Sequence, residues 1–371
     1  MTTVLVSGAG LAGTTVAYWL QRHGYTVTVV ERGPGLGLGG QAIQLRGPAL
    51  TVLERMGVLA EVSKLKTWVR GSALVDAEGN EESKEVAPQT EGSDLEVPRG
   101  DLLELLYDQT RPEVEYLFGD TITGIRDDGM AVAVTFEHEP ERDFDLVIGA
   151  DGLHSVVRSL VFGAEDQFIE RLGTYAAAFT VPNFLDLDFW QTWHYGETTM
   201  AGLYSVHNNR EALALLGFSD PDLHVDPWDR EAQFAAVESR MAGEGWVRPQ
   251  LMEYMRSASD FYFDEMAQIK MVHWSKGRVV LVGDAAYACS PLSGQSACLA
   301  LVGAYILAGE IASARTGSGE DYAGGFAAYQ SDFSEYAQRN QWLIVDNIEG
   351  GAPIPQEVFE RIVTSIEPRE Y

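Results

Sequence analysis

Three glycines near the start of the chain are spaced as in loops that bind nucleotide phosphates. Residues 8–13 read G-A-G-L-A-G. In such a loop Gly8 allows a tight turn, Gly10 lets a pyrophosphate approach the backbone, and Gly13 lets a helix pack closely against a strand. A helix that begins here would present free N–H groups and the positive end of its dipole to phosphate. The predicted phosphate contacts are Gly8, Gly10, Leu11, Ala12 and Gly13.

A carboxylate follows this loop at a distance that suits ribose binding. Glu31 lies eighteen residues after Gly13 and closes the apolar run Val27–Val30, where it can accept hydrogen bonds from ribose hydroxyls. The same carboxylate would repel a 2′-phosphate, which favours FAD or NAD over NADP at this position. A second glycine-rich run, residues 33–40, lies at no strand-to-helix junction, and we predict that it is a mobile loop.

The elements that would position these residues form a strand–helix–strand unit. Thr3–Ser7 and Val27–Val30 are rich in β-forming residues, and Leu11–His23 carries helical spacing that ends at Gly24. Two strands joined by one helix run parallel, and their apolar composition indicates that both are buried.

The rest of the chain indicates an α/β fold interrupted twice by a second sheet. Residues 165–271 contain alternating aromatic-rich segments, such as Thr174–Val181 and Phe189–Tyr195, that are typical of antiparallel strands. Residues 68–97 are strand-like and include an acidic flexible patch at Glu81–Asp94. Further predicted elements are the strands Ala131–Phe136, Asp143–Ile148 and Arg278–Val282 and the helices Pro48–Met56, Arg99–Gln109, Asp229–Met241, Gln295–Ala314 and Tyr322–Asn340.

Composition excludes several classes of protein and partner. The chain has 371 residues, of which 55 are acidic and 26 are Lys or Arg, for a formal net charge of −29. Such a charge repels phosphate backbones and anionic lipid, so we expect no nucleic acid and no membrane partner. Cys289 and Cys298 are too few for a disulfide framework or a metal cage, and they suit a reducing cytoplasm. The apolar stretch Ser296–Gly309 is too short to span a bilayer.

Three later motifs resemble those of the single-component (class A) flavoprotein aromatic hydroxylases. Residues 145–158, D-L-V-I-G-A-D-G-L-H-S-V-V-R, resemble the D-G motif of that family. Residues 281–286, L-V-G-D-A-A, and 291–295, P-L-S-G-Q, resemble its G-D motif and the flavin-contacting loop that follows. The resemblance covers nearly the whole chain and is closest to short members such as tetracycline-inactivating and small polyketide hydroxylases.

The resemblance implies a Rossmann-like FAD-binding domain with an inserted β-sheet substrate domain and C-terminal helices. The FAD-binding domain would comprise residues 1–67, 98–164 and 272–371, and the substrate domain residues 68–97 and 165–271. Asp284 would bind a ribityl hydroxyl, although its position also suits a helix N-cap. Asp151 could equally be a turn-forming residue, and Arg158 is predicted to be structural. The implied FAD contacts outside the first loop are Glu31, Arg32, Arg46, Arg99, Asp151, Asp284, Pro291, Gly294, Gln295, Ser296 and Ala297.

Three residues depart from the family pattern. Tyr287 stands where the family usually has histidine, and Gly303 replaces an acid that is common in the following helix. In the flavin loop the G-x-G sequence ends in Ser296, so a side chain enters where bare backbone normally approaches the isoalloxazine. These changes admit a version of the fold that no longer performs redox chemistry.

No catalytic acid or base can be named from the sequence, and no His/Cys spacing predicts a metal site. Aromatic side chains of the inserted segment could line a pocket for a flat or apolar substrate, and core packing explains them equally well. These candidates are Phe179, Trp190, Trp193, Tyr204, Phe218, Tyr262 and Phe263, with His194 and His207 beside them.

The sequence favours an FAD-dependent monooxygenase of secondary metabolism or antibiotic biosynthesis. As the resemblance implies, NAD(P)H reduces the flavin, O2 adds at C4a, and the resulting hydroperoxide hydroxylates or epoxidises a small hydrophobic, aromatic or polyketide-like substrate. One alternative is a non-redox cyclase that uses the FAD-containing scaffold, and another is a protein that sequesters flavin or a metabolite without turnover. We expect a cytoplasmic monomer or homodimer.

Overall fold

The computed structural model describes residues 2–86, 94–316, 319–344 and 354–371. Part of the acidic patch predicted at Glu81–Asp94, residues 87–93, lies outside the described residues. The strands are β1 (Thr3–Ser7), β2 (Thr26–Glu31), β3 (Ala42–Leu45), β4 (Gly71–Val75), β5 (Glu81–Val86), β6 (Leu95–Pro98), β7 (Glu115–Phe118), β8 (Ile122–Asp127), β9 (Val132–Phe136), β10 (Arg142–Phe144), β11 (Leu146–Gly149), β12 (Ile169–Pro182), β13 (Trp190–Tyr195), β14 (Thr199–Val206), β15 (Glu211–Ser219), β16 (Tyr262–Ile269), β17 (Ser275–Lys276), β18 (Val279–Leu281), β19 (Arg315–Thr316) and β20 (Gly319–Glu320).

The helices alternate with these strands in the first and last thirds of the chain. Each helix predicted from the sequence is present, with ends that differ by two residues at most. The helices are α1 (Leu11–Arg22), α2 (Pro48–Arg55), α3 (Leu59–Val62), α4 (Arg99–Thr110), α5 (Val156–Val161), α6 (Arg230–Met241), α7 (Arg248–Ser257), α8 (Asp284–Tyr287), α9 (Ser296–Ser313), α10 (Tyr322–Trp342) and α11 (Gln356–Val363).

A parallel sheet forms the first layer of the fold. Its strand order is β17-β18-β11-β1-β2-β7, with all neighbours parallel except β17. The central strands are rich in apolar residues and buried, as expected for a parallel sheet that is covered on both faces. The predicted strand–helix–strand unit is confirmed: β1 pairs in parallel with β2, and α1 joins them. The carboxyl ends of β1, β11 and β18 therefore meet at one edge of this sheet.

A seven-stranded sheet forms the second layer. Its order is β16-β12-β15-β14-β13-β4-β5, and every pair is antiparallel except β13 with β4. A separate apolar core lies between this sheet and helices α6 and α7. The segment 68–97, which we predict to belong to this domain, contributes β4 and β5, whereas β6 pairs with β3 in a separate two-stranded sheet.

The prediction of a single strand over Asp143–Ile148 is wrong, because the strand is interrupted at Asp145. The carboxylate of Asp145 accepts hydrogen bonds from the backbone N–H and the hydroxyl of Thr3, at 2.8 and 3.0 Å. β10 before the break joins a three-stranded antiparallel sheet, and β11 after it joins the parallel sheet. Asp145, whose carboxylate is hydrogen-bonded to the first residue of β1, thus separates β10 from β11. In the sequence the two strands read as one continuous strand.

Helix α9 crosses the interior of the first layer. In the described part of the chain it is the one helix long and apolar enough to cross a membrane, but 83% of it is buried inside the protein. It packs against α1, α2 and α10. Its composition is therefore that of a core helix.

Two of the departures from the family pattern, Tyr287 and Gly303, occupy one space. A Cβ atom on Gly303 would lie 2.0 Å from the hydroxyl oxygen of Tyr287 and 3.0 Å from the ring of Phe333. The Tyr287 hydroxyl accepts a hydrogen bond from Tyr329 at 3.1 Å, and Tyr329 also reaches the carbonyl of Leu281 at 3.3 Å. The Tyr287 side chain on α8 thus fills the volume that is free because Gly303 on α9 has no side chain.

Replacing Gly303 with Ala should lower the free energy of unfolding by about 1–3 kcal/mol, because the added methyl group overpacks a filled site. The loss should shrink in the Tyr287→Phe background, where the clashing oxygen is absent. Urea unfolding of the four proteins in this double-mutant cycle measures the coupling. Independent, additive effects of the two substitutions would contradict the shared-space explanation.

Candidate functional site

A cavity of about 1130 Å³ lies between the two layers. Its wall on one side is the carboxyl edge of the parallel sheet, which is where open α/β sheets bind their ligands. The opposite wall is the face of the antiparallel sheet, and α11 borders the cavity with Phe359 and Glu360. The predicted FAD contacts that line the cavity are Gly10, Leu11, Ala12, Arg46, Arg99, Asp284, Pro291, Gly294, Ser296 and Ala297.

The fingerprint glycines lie where the sequence places them, between β1 and α1. Gly8 has φ +99°, and a Cβ on it would lie 2.5 Å from the carbonyl oxygen of Ala150. A Cβ on Gly13 would lie 1.9 Å from the carbonyl oxygen of Gly8. Gly10 has nothing within 4 Å of its Cβ position and faces the cavity. Gly8 and Gly13 therefore permit close backbone packing, and Gly10 leaves open space beside the first turn of α1.

Glu31 ends β2 beside this turn and shapes it directly. One carboxylate oxygen accepts the N–H of Ala9 at 2.9 Å, and the other accepts the N–H of Gly33 at 2.8 Å. Each oxygen retains a second lone pair, so the carboxylate can still accept from a ribose hydroxyl. The sequence identified the residue but not its role in holding the fingerprint loop.

Arg46 and Arg99 are the cationic side chains that line the cavity in the described part of the chain. Arg46 lies 3.4 Å from a carboxylate oxygen of Asp94 and stacks over the ring of Phe359, with 5.0 Å to the centroid. The atom that faces Asp94 is the Nε, and this ion pair does not have the geometry of a hydrogen bond. Arg99 donates to the carbonyl oxygens of Gly37 and Gly39, both at 2.8 Å, and so holds the glycine-rich loop that the sequence predicts to be mobile.

The flavin-type loop follows β18 and leads into α9. Asp284 begins α8 and faces the cavity; burial raises the pKa of its carboxyl to about 6, and the nearby Arg99 charge opposes that rise. Gly294 has φ +66°, which turns the chain into the first turn of α9. The hydroxyl of Ser296 lies 3.5 Å from the Sγ of Cys289, so the departure at this position has a partner within the protein.

Six predicted FAD contacts do not line the cavity: Gly8, Gly13, Glu31, Arg32, Asp151 and Gln295. The guanidinium of Arg32 stacks on Trp228 at 4.0 Å from the ring centroid. Asp151 accepts hydrogen bonds from the hydroxyl of Ser155, the N-cap of α5, and from the N–H of Val157 at 3.0 Å, so it binds the first turn of that helix. Gln295 is fully buried, and neither amide atom has a partner in the described residues. Their role as FAD contacts stays a prediction.

The structural role predicted for Arg158 is confirmed. Its guanidinium is fully buried, pairs with Glu165 at 3.0 Å and donates to the carbonyl oxygen of Ala285 at 3.0 Å. These bonds join the D-G motif to the segment that carries Asp284.

The antiparallel sheet supplies cavity residues that the sequence reasoning missed. Residues of β16 line the cavity, and alanines of β12 lie opposite two of them. Of the aromatic and histidine candidates, Tyr262 alone lines this cavity in the described structure, whereas Phe179 and Phe218 are core residues. Residues 262–269 read Y-F-D-E-M-A-Q-I and show no alternation of apolar and polar residues, so no local pattern in the sequence indicated this face. The face is formed by Ala176, Ala178, Leu215, Tyr262, Asp264 and Met266.

A histidine joins the two layers near Arg99. His207, in the turn between β14 and β15, lies 3.2 Å from the carboxylate of Asp101 in the first turn of α4 and 2.6 Å from Glu211. The hydrogen bonds with these two carboxylates outweigh partial burial and raise the pKa of His207 to about 9. At neutral pH a cation therefore links the antiparallel sheet to the helix that carries Arg99.

These observations fit FAD as the bound group. The open space at Gly10 and the first turn of α1 would receive the pyrophosphate, and the Arg46 guanidinium, which lines the same cavity, would supply positive charge. Glu31 and Asp284 would offer carboxylate acceptors to ribose and ribityl hydroxyls, and the first turn of α9 would offer backbone donors to the flavin ring. The cavity is also large enough to hold a substrate beside the cofactor.

Comparisons with known proteins agree with this fit. Residues 1–341 match the family model described as an FAD binding domain. The chain is 62% identical to an uncharacterised protein of Mycobacterium tuberculosis over the full length of both. It is 37% identical to a flavin-dependent monooxygenase from an unknown prokaryotic organism, covering 91% of this chain and 87% of the relative. The crystal structure of the tetracycline destructase Tet(51) is 34% identical with a TM-score of 0.88, covering 98% of this chain and 95% of that one.

Two glycine substitutions in the fingerprint should have different effects. Gly13→Ala should reduce the yield of folded protein, because its Cβ meets backbone that cannot move without shifting α1 from β1. Gly10→Ala should fold normally but bind FAD at least about tenfold more weakly, because its Cβ occupies the approach to the helix. Circular dichroism and titration of apoprotein with FAD distinguish the two. Equal FAD affinity of Gly10→Ala and the unchanged protein would contradict this prediction.

The junction at His207 should make stability depend on pH. Because its pKa is raised from 6.5 to about 9, the His207 contribution is complete below about pH 6.5 and is lost as pH rises through 9. Thermal unfolding should therefore show a Tm decrease between pH 7 and 10 that is smaller in His207→Gln. A matched control is His138→Gln, on an exposed segment; an identical pH profile in all three proteins would rule out this role.

Proposed function

The chain belongs to the class A family of FAD-dependent monooxygenases, and from this we propose that it oxidises a small apolar metabolite. The substrate is aromatic or polyketide-like, and the reaction inserts one atom of O2 by hydroxylation or epoxidation. The observation that carries the proposal is a single cavity whose walls are the dinucleotide fingerprint, the flavin-type loop and an apolar sheet face.

The cofactor and the protein have separate tasks in this reaction. When bound, FAD would supply the redox chemistry, which is acceptance of a hydride from NAD(P)H and activation of dioxygen for transfer to the substrate. The protein binds the FAD phosphates at residues 8–13, orients the flavin at the start of α9 and keeps water away from the reacting atoms. No side chain in the described cavity is required to act as a nucleophile.

The substrate half of the cavity supports an apolar, flat ligand. Ala176, Ala178, Leu215 and Met266 form its floor, and Phe359 of α11 borders it. The alanines leave space that larger side chains would fill, and apolar floor area favours ligands with little charge. One structural neighbour of this chain is the tetracycline destructase Tet(51), and a fused-ring polyketide suits the volume of the cavity.

The non-redox cyclase remains the second candidate, and its basis was Ser296. That basis is weakened because the Ser296 hydroxyl has Cys289 as a partner, so the side chain need not displace a flavin contact. The coupled pair Tyr287 and Gly303 lies within the core and likewise leaves the cavity wall intact. We further propose that the protein acts in the cytoplasm, in secondary metabolism or antibiotic biosynthesis, as a monomer or a homodimer.

Anaerobic mixing of the FAD-loaded protein with NADH or NADPH tests the redox proposal. We expect the oxidised flavin band to bleach, faster with a productive substrate such as a fused-ring phenol, and to recover when O2 is added. Ser296→Gly should keep the rate within about an order of magnitude, since one neutral hydrogen bond contributes roughly 1 kcal/mol. Product formation with a flavin that stays oxidised would instead establish the cyclase.

A further inference from the structure

One carboxylate stands on the apolar floor of the substrate half of the cavity. Asp264 lies on β16 directly opposite Ala176 of β12, and the neighbouring floor residue Tyr262 lies opposite Ala178. Both alanines face the cavity with it. A charged group next to two of the smallest side chains is accessible to a ligand, because neither neighbour can cover it.

The two carboxylate oxygens of Asp264 differ in the hydrogen bonds that they accept within the protein. Oδ1 accepts the backbone N–H of Glu265 at 2.8 Å and lies 3.2 Å from Nε2 of His154. Oδ2 is approached in the described structure by the Tyr262 hydroxyl at 3.4 Å, near the limit of a hydrogen bond. A carboxylate oxygen accepts two hydrogen bonds readily, so Oδ2 has acceptor capacity left for a ligand.

His154 fixes this carboxylate from behind the cavity wall. Its Nδ1 lies 3.1 Å from Glu165, so its ring is held between two carboxylates. Burial lowers the pKa of His154, but the hydrogen bonds with Asp264 and Glu165 outweigh it and raise the pKa to about 9. At neutral pH both ring nitrogens therefore carry protons and donate, one to each carboxylate.

The surrounding charges keep this arrangement in place. Glu165 also pairs with the buried Arg158 at 3.0 Å and lies 3.6 Å from Arg171. Arg171 in turn pairs with Glu265 at 2.7 Å. A crevice on the far side of the wall is bordered by His154, Asp264 and His224, and the edge of Trp228 approaches His154 at 6.4 Å between centroids.

We propose that Asp264 selects the substrate by accepting a hydrogen bond from an O–H or N–H group on it, with His154 as its positioning residue. This deepens the proposed function, because it takes the same cavity as the substrate site. The preferred substrate class is a flat apolar molecule, neutral or cationic, that carries one such donor. Anionic molecules are disfavoured, since the carboxylates that line the cavity outnumber its two arginines: Asp94, Glu96, Asp264, Glu265, Asp284 and Glu360.

Equilibrium binding of matched probe pairs to the FAD-loaded protein tests this inference without turnover. The pairs are 2-naphthol with 2-methoxynaphthalene, and 1-naphthylamine with its N,N-dimethyl derivative. Dissociation constants are measured from the perturbed flavin absorption band and by calorimetry, in the absence of NAD(P)H. The donor-bearing member should bind at least about tenfold more tightly, as expected for a hydrogen bond to a charged acceptor.

The variants separate selection from folding. The measured quantity is the dissociation constant of the methylated probe divided by that of its donor-bearing partner. In Asp264→Asn this ratio should fall towards one, because an amide can donate to the ether oxygen as well as accept. In His154→Gln the ratio should fall to an intermediate value, and the control His224→Gln should keep it. A merely structural role would weaken both members of a pair equally and leave the ratio unchanged.

The outcomes are distinct from those of the redox test. A ratio near one in the unchanged protein, or no binding of any donor-bearing probe, overturns the proposal even if Asp264→Asn fails to fold. An unchanged ratio in a folded, FAD-loaded Asp264→Asn overturns it as well. Discrimination between the probes with no flavin reduction by NAD(P)H would reject the monooxygenase reaction while retaining the binding role of Asp264.

Discussion

The whole site depends on how closely two backbone segments approach at the edge of the parallel sheet. Gly8 lies so near the carbonyl of Ala150, and Gly13 so near the carbonyl of Gly8, that no side chain fits at either position. This contact sets the distance of α1 from β1 and β11, and with it the direction in which the first helical turn points. The D-G loop, Glu31 and the start of α8 all take their positions around it.

Much of this layer could be predicted from the sequence because its signals are local. A glycine spacing, an apolar run and a carboxylate at a fixed distance each report on one turn of chain, and Glu31 and α1 lie where these signals place them. The break at Asp145 was missed because an apolar pattern cannot show that its two halves join different sheets. The partner that causes the break, Thr3, lies 142 residues away.

The substrate wall was harder to predict because it depends on pairing between distant strands. Asp264 and Ala176 become neighbours only through the register of β16 with β12, and no local pattern carries that information. Aromatic residues were the obvious candidates for a pocket, yet most of them fill the core, while alanines create the space. The departures at Tyr287 and Gly303 likewise looked independent in the sequence and share one volume in the fold.

The burial of Cys289 and Cys298 affects how readily oxidants attack their sulfur atoms. Burial raises the pKa of Cys289 to about 12 and that of Cys298 to about 11. Oxidants attack the thiolate, and at neutral pH a thiol with a pKa near 11 is ionised in about one molecule in 10⁴. Hydrogen peroxide escaping from an unproductive encounter with O2 would thus find two sulfur atoms beside the cavity in their unreactive form. The packing around the flavin-type loop therefore also keeps both thiols protonated, which slows their oxidation.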